Sequence, residues 1–178
     1  MRTLVLYETE QGSTQKYAED IAKAVGGTVL PLKKFKPKTI DDYDVLVFGG
    51  WVRGNQIMGL NKFLSYWDAM EGKDVIVFSS GLSVVSKDGR EEMIQLNVLY
   101  PYHLRYYMLR GSFDFKKLSF KNRLMMNMSL NRLASQQELS VNDQQLLAIK
   151  DTPITYYDQE GVNRIVTVIN KIALEKIS

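Results

Sequence analysis

No cysteine occurs among the 178 residues, so disulfides, thiolate metal sites, iron–sulfur clusters and a cysteine nucleophile are all excluded. The single histidine, His103, lies in Tyr100-Pro101-Tyr102-His103 with no carboxylate cluster beside it. It builds no recognisable metal site and is read as structural. No run of about 18 apolar residues occurs, which excludes a conventional membrane-spanning helix. The opening residues, Met1 to Tyr7, pass straight into an apolar stretch and then a glutamate, so no signal peptide is expected and a cytoplasmic location is. Net charge is also small: at +3 it gives no reason to expect a nucleic-acid partner. With so few prolines, four in all, the position of one of them, Pro31, carries information.

A hydrophobic content of 45% over this length suits one domain, 1–178, with a substantial core. Residues 2–7 are apolar and partly β-branched, as expected of a strand buried on both faces. Beyond Ser13 the apolar residues Tyr17, Ala18, Ile21, Ala22 and Val25 recur at helical spacing until Gly26-Gly27. Residues 28–32 form a short second strand, which Pro31 assigns to a sheet edge because proline cannot donate a ladder hydrogen bond. Lys33 to Lys38, with four lysines, reads as a solvated connection.

Three more apolar runs, 44–50, 75–78 and 105–111, read as strands. Helical patterns follow them at Phe63, Leu64, Trp67 and Met70, over 90–103, and at Val162 to Ala173, where Asp158 is placed to cap the helix. Alternation of this kind implies a five-stranded parallel sheet covered on both faces, with order 2-1-3-4-5. Residues 112–157 are too many for an ordinary loop and are expected to form a helical insertion after the fifth strand.

In such a sheet the ligand crevice lies beyond the strand ends, beside the first and third strands. There the first loop reads Thr9-Glu10-Gln11-Gly12-Ser13-Thr14. Backbone N–H groups at the start of the following helix attract a phosphate, Gly12 permits close approach, and the hydroxyls of Thr9, Ser13 and Thr14 can donate to it. No Gly-Lys-Ser/Thr ending and no second or third glycine is present, which favours a monophosphate over a nucleoside triphosphate or a dinucleotide. The same six residues also fit a plain polar turn with Ser13 as helix N-cap. Glu10 would repel a phosphate unless it pointed to solvent. The third strand ends in Gly49-Gly50, where a phosphoacceptor aspartate would be needed for a response regulator, and Ser79-Ser80-Gly81 lacks a hydrolase nucleophile elbow.

The strand followed by Thr-x-x-Gly-x-Thr resembles the phosphate loop of the flavodoxin family, three-layer α/β sandwiches that bind FMN. On that resemblance the isoalloxazine ring lies between the loop at Gly50, Trp51, Val52, Arg53 and Gly54 and the loop at Ser79, Ser80 and Gly81. Thr9, Gln11, Gly12, Ser13 and Thr14 then hold the phosphate. Trp51 would stack on the ring or, alternatively, pack over the sheet end. Gly50 or Gly54 would present backbone to the flavin N5 edge, and Arg53 would stabilise the reduced, anionic ring.

The chain is similar in particular to the flavodoxin-type, menaquinone-dependent protoporphyrinogen oxidases. The resemblance is carried by Glu10-Gln11-Gly12-Ser13-Thr14, by Gly49-Gly50-Trp51-Val52-Arg53, and by a basic, methionine-rich insertion from Phe115 to Ala134 followed by Thr155-Tyr156-Tyr157-Asp158. It implies an FMN-dependent oxidoreductase with a quinone or another redox partner and a porphyrin substrate. Two other roles fit the same fold: a non-catalytic electron carrier, and a scaffold without flavin. Between Phe115 and Ala134 there are five basic residues and no acidic ones, with Leu118, Phe120, Leu124, Met125, Met128, Leu130 and Leu133 interleaved. Such a stretch can rest peripherally on an anionic membrane, cover a hydrophobic substrate, or simply pack onto the domain with its cations solvated.

Overall fold

The computed structural model describes residues 1–176, apart from the side chain of Asn142; the last two residues of the expected 1–178 domain lie outside the described residues. Five strands run parallel: β1 (Thr3–Glu8), β2 (Thr28–Pro31), β3 (Val45–Arg53), β5 (Asp74–Gly81) and β6 (Leu104–Arg110). Their order is β2-β1-β3-β5-β6, and the two-residue strand β4 (Gln56–Ile57) pairs antiparallel with the end of β3. Without β4 this is the expected order, 2-1-3-4-5. Pro31 lies on the edge strand, opposite Tyr7 of β1.

Because side chains alternate along a strand, each central strand feeds two cores. Leu4 and Leu6, Leu46 and Phe48, and Val75 and Val77 face one side, where α2 (Leu60–Leu64) and α3 (Lys87–Leu96) add Leu60, Phe63, Met93 and Ile94. Phe48 and Phe63 stack there with ring centroids 4.9 Å apart. Val5, Val47, Ile76 and Phe78 face the other side, packed under α1 (Ser13–Val25) and α6 (Gln159–Glu175). Asp158 caps α6 as expected, accepting the Gly161 N–H at 2.8 Å.

Several local expectations change. The lysine-rich connection forms two short 3-10 turns that bury Leu32 and Phe35. The pattern at Phe63 to Met70 is split between α2 and a 3-10 turn. The helix expected over 90–103 starts at Lys87, because the Ser86 hydroxyl accepts the Gly89 N–H, and it ends at Leu96. Residues 112–157 hold α4 (Phe120–Ala134) and α5 (Val141–Ala148). Their base is pinched shut by two backbone hydrogen bonds between Phe113 and Ile154, 2.7 and 2.8 Å long.

Candidate functional site

The carboxyl ends of β1, β3 and β5 open into a cavity of about 650 Å³, roofed by α4 and α5. That volume lies within the usual range for small-molecule sites. α1 begins immediately beneath it, with Gly12 as N-cap at φ 96°, and not with Ser13 in that role. No side chain caps this helix, so the first-turn N–H groups of Ser13, Thr14 and Gln15 lack acceptors within the helix and concentrate its positive dipole end. Thr14 is fully buried, and its Oγ1 has no hydrogen-bond partner. A buried hydroxyl of this kind costs free energy unless something binds to it. A Cβ built on Gly12 would meet nothing within 4 Å, so the loop is open to close approach there. These features fit a phosphate group.

The other loop side chains are engaged within the protein. Thr9 Oγ1 accepts the Gly12 N–H at 3.0 Å. Ser13 Oγ accepts the Ser112 N–H at 2.9 Å and donates to the Ser112 carbonyl at 3.2 Å. Gln11 makes a matching pair with the backbone of Asp114, donating at 3.0 Å and accepting at 2.8 Å. Gln11 and Ser13, expected on the phosphate, thus fasten the insertion to the loop with their side chains. Glu10 does not point into solvent. It lines the cavity with its carboxylate turned towards α4, where Asn122 Nδ2 donates to Oε1 at 2.6 Å while Oε2 is buried without a partner.

The second loop, expected after a strand ending at Gly50, is instead a hairpin, because β3 continues to Arg53 and pairs with β4. β3 turns into β4 through Gly54 and Asn55, with φ of 54° and 63°. Positive φ at both central residues is what a tight two-residue hairpin requires. Asn97, at the end of α3, clamps it: Nδ2 donates to the Asn55 carbonyl at 2.9 Å and Oδ1 accepts the Ile57 N–H at 2.8 Å. The hairpin presents Trp51, Val52, Arg53 and Gly54 to the cavity. The Arg53 guanidinium sits 5.7 Å from the Trp51 ring centroid and donates to Asn122 Oδ1 at 3.2 Å. Asn122 therefore bridges Glu10 and Arg53, the one carboxylate and the one cation lining the cavity among the described residues.

Three expected residues lie outside the lining: Gly12, Gly50 and Ser79. Gly50 is covered by the hairpin, and a Cβ there would fall 2.5 Å from Ile57 Cγ2 and 2.6 Å from the Met58 carbonyl. Ser79 faces away from its neighbour Ser80 and shares a 2.6 Å hydrogen bond with the Tyr106 hydroxyl, whose pKa burial pushes up to about 12. Ser80 and Gly81 do line the cavity. Leu118, Leu130 and Leu133, in the stretch expected to cover a hydrophobic substrate or pack onto the domain, form an apolar wall of the cavity with Met126 and Leu146. Asn122, Met126 and Leu146 were not singled out by the sequence, and the apolar periodicity within 118–133 was the only signal for the wall.

A doubly wound parallel sheet with an uncapped helix start beneath its strand-end crevice defines a class of ligand-binding α/β protein. Within that class, a family model described as a flavodoxin domain matches residues 4–140, and the chain belongs to that family. Fold similarity extends to the two-electron reduced flavodoxin of Megasphaera elsdenii, at 14% identity and TM-score 0.46 over 60% of this chain and 85% of that one. A Streptococcus pneumoniae flavodoxin matches at 10% identity and TM-score 0.46, over 74% and 99%. A flavoprotein in complex with FMN from Lactobacillus acidophilus matches at 18% identity and TM-score 0.42, over 61% and 91%. No curated protein matches the sequence.

Proposed function

We propose that the protein is an FMN-binding redox protein of flavodoxin type that acts as a quinone-linked oxidase on a largely apolar substrate of the protoporphyrinogen kind. The observation carrying the oxidase assignment is the roof. A carrier needs only an exposed flavin edge, whereas here α4, with Leu146 of α5, lays an apolar wall over the strand-end loops.

In this reading the Thr14 hydroxyl and the first-turn amides of α1 hold the phosphate. Gly12 leaves room for it, and Thr9 keeps the loop closed through its bond to Gly12. Gln11 and Ser13 act indirectly, by holding the insertion over the site. The Trp51 to Gly54 hairpin and Ser80-Gly81 border the ring, and Arg53 supplies positive charge for its reduced form. FMN, when bound, accepts and passes electrons singly or in pairs. Met125, Met126 and Leu130 exclude water and adapt their shape to an apolar substrate.

An anaerobic assay with protoporphyrinogen and a menaquinone analogue tests the assignment. Many turnovers per protein are expected. Electron exchange that stops at one equivalent would make the protein a carrier.

A further inference from the structure

α4 is apolar on two opposite faces. At 100° per residue, Asn122, Met126, Ser129, Leu130 and Leu133 cluster on the side that lines the cavity. Phe120, Leu124 and Met128, each four residues from the next, form a stripe on the other side and are 84%, 55% and 64% exposed. The first face explains why the helix packs where it does. The second is left without a covering partner among the described residues, although it exposes three of its largest apolar side chains.

The charges around this stripe select its occupant. Lys121 and Arg132 lie on one flank and Arg123 on the other, its guanidinium donating to the Lys116 and Leu118 carbonyls at 2.7 and 3.2 Å. Lys116 and Lys117 stand in the turn just before the helix, with Lys117 4.0 Å from the Asp114 carboxylate. No acidic residue lies between Phe115 and Ala134. A second copy of the chain docked here through the same face would set these five cations against five more. An anionic lipid surface offers both complements at once, acyl chains for the stripe and headgroup phosphates for the cations.

We propose that the outer face of α4 docks on an anionic membrane surface, with Phe120, Leu124 and Met128 inserted among the lipids. α4 then forms the wall between the bilayer and the cavity. The docking needs no flavin, so it stands or falls apart from the assignment of function above.

The test is co-sedimentation of the full chain with phosphatidylcholine vesicles, with and without phosphatidylglycerol, across a salt series. Binding is expected only with phosphatidylglycerol and should weaken as salt rises. The double variant Phe120→Ser, Leu124→Ser, at surface positions where folding is checked by thermal unfolding, should lose at least tenfold in vesicle affinity. Replacing Lys116, Lys117 or Lys121 by Gln should cost roughly fivefold each. Absence of binding to anionic vesicles, or binding unchanged by the serine variant, would overturn the proposal. So would equally tight, stripe-independent binding to polyglutamate, which would identify an acidic protein partner, or self-association that the serine variant abolishes.

Discussion

Thr14 concentrates the chemistry of the site into one atom. Its hydroxyl is buried and unpaired, so replacing it with the near-isosteric valine removes a desolvation cost from the free protein and a charge-assisted hydrogen bond from the complex. The expected result for Thr14→Val is an unfolding temperature at least as high as wild type, with FMN affinity weakened roughly 10- to 100-fold. A lowered unfolding temperature with unchanged affinity would mean that the hydroxyl serves the fold. A second residue-scale outcome concerns pH. Asp44 Oδ2 accepts the Arg2 N–H at 2.6 Å. This bond holds the carboxyl below its ordinary value of 3.8 against partial desolvation, aided by the charges of Lys176, the N-terminus and Arg2. A carboxyl whose folded pKa is lowered stabilises the fold above its unfolded pKa, and the contribution is lost as pH falls through the folded value. Asp44→Asn should therefore unfold at a lower temperature than wild type at neutral pH, with the gap closing below about pH 4.

The strands show how much of the molecule could be read from the chain. Continuous apolar runs marked β1, β3 and β5, because strands buried on both faces have no polar alternation to keep. Pro31 marked the edge, and Asp158 marked a helix start. Gly49 shows what the sequence could not convey. A Cβ there would lie 2.1 Å from the Phe78 ring of the neighbouring strand, so Gly49→Ala should destabilise the protein by roughly 1–3 kcal/mol in denaturant titrations, by overpacking. The site was legible in the same partial way. The position of the candidate phosphate loop followed from local order, whereas the partners of its side chains did not. Ser13 meets Ser112, Gln11 meets Asp114 and Glu10 meets Asn122 across separations of 99, 103 and 112 residues. Such pairings exist only once the sheet has brought the loop and the insertion together. The clamp of Asn97 on the hairpin is hidden for the same reason.

At the scale of the molecule, the insertion behaves as an added roof. Neither of the two main core clusters includes a residue from 112–157. Phe113 and Ile154 exchange backbone hydrogen bonds, so their Cα atoms are only about 5.5 Å apart and a short link can join them. Replacing residues 115–152 with a Gly-Ser linker should leave a single cooperative unfolding transition while weakening ligand binding. Loss of cooperativity would show that the roof belongs to the folding unit. Titration of the purified, flavin-stripped full chain with FMN tests most directly that the cavity is a flavin site. Saturable quenching of flavin fluorescence with a shifted visible spectrum, weakened in Thr14→Val, is the expected result. A chain that leaves the FMN spectrum and fluorescence unchanged at every concentration would contradict it.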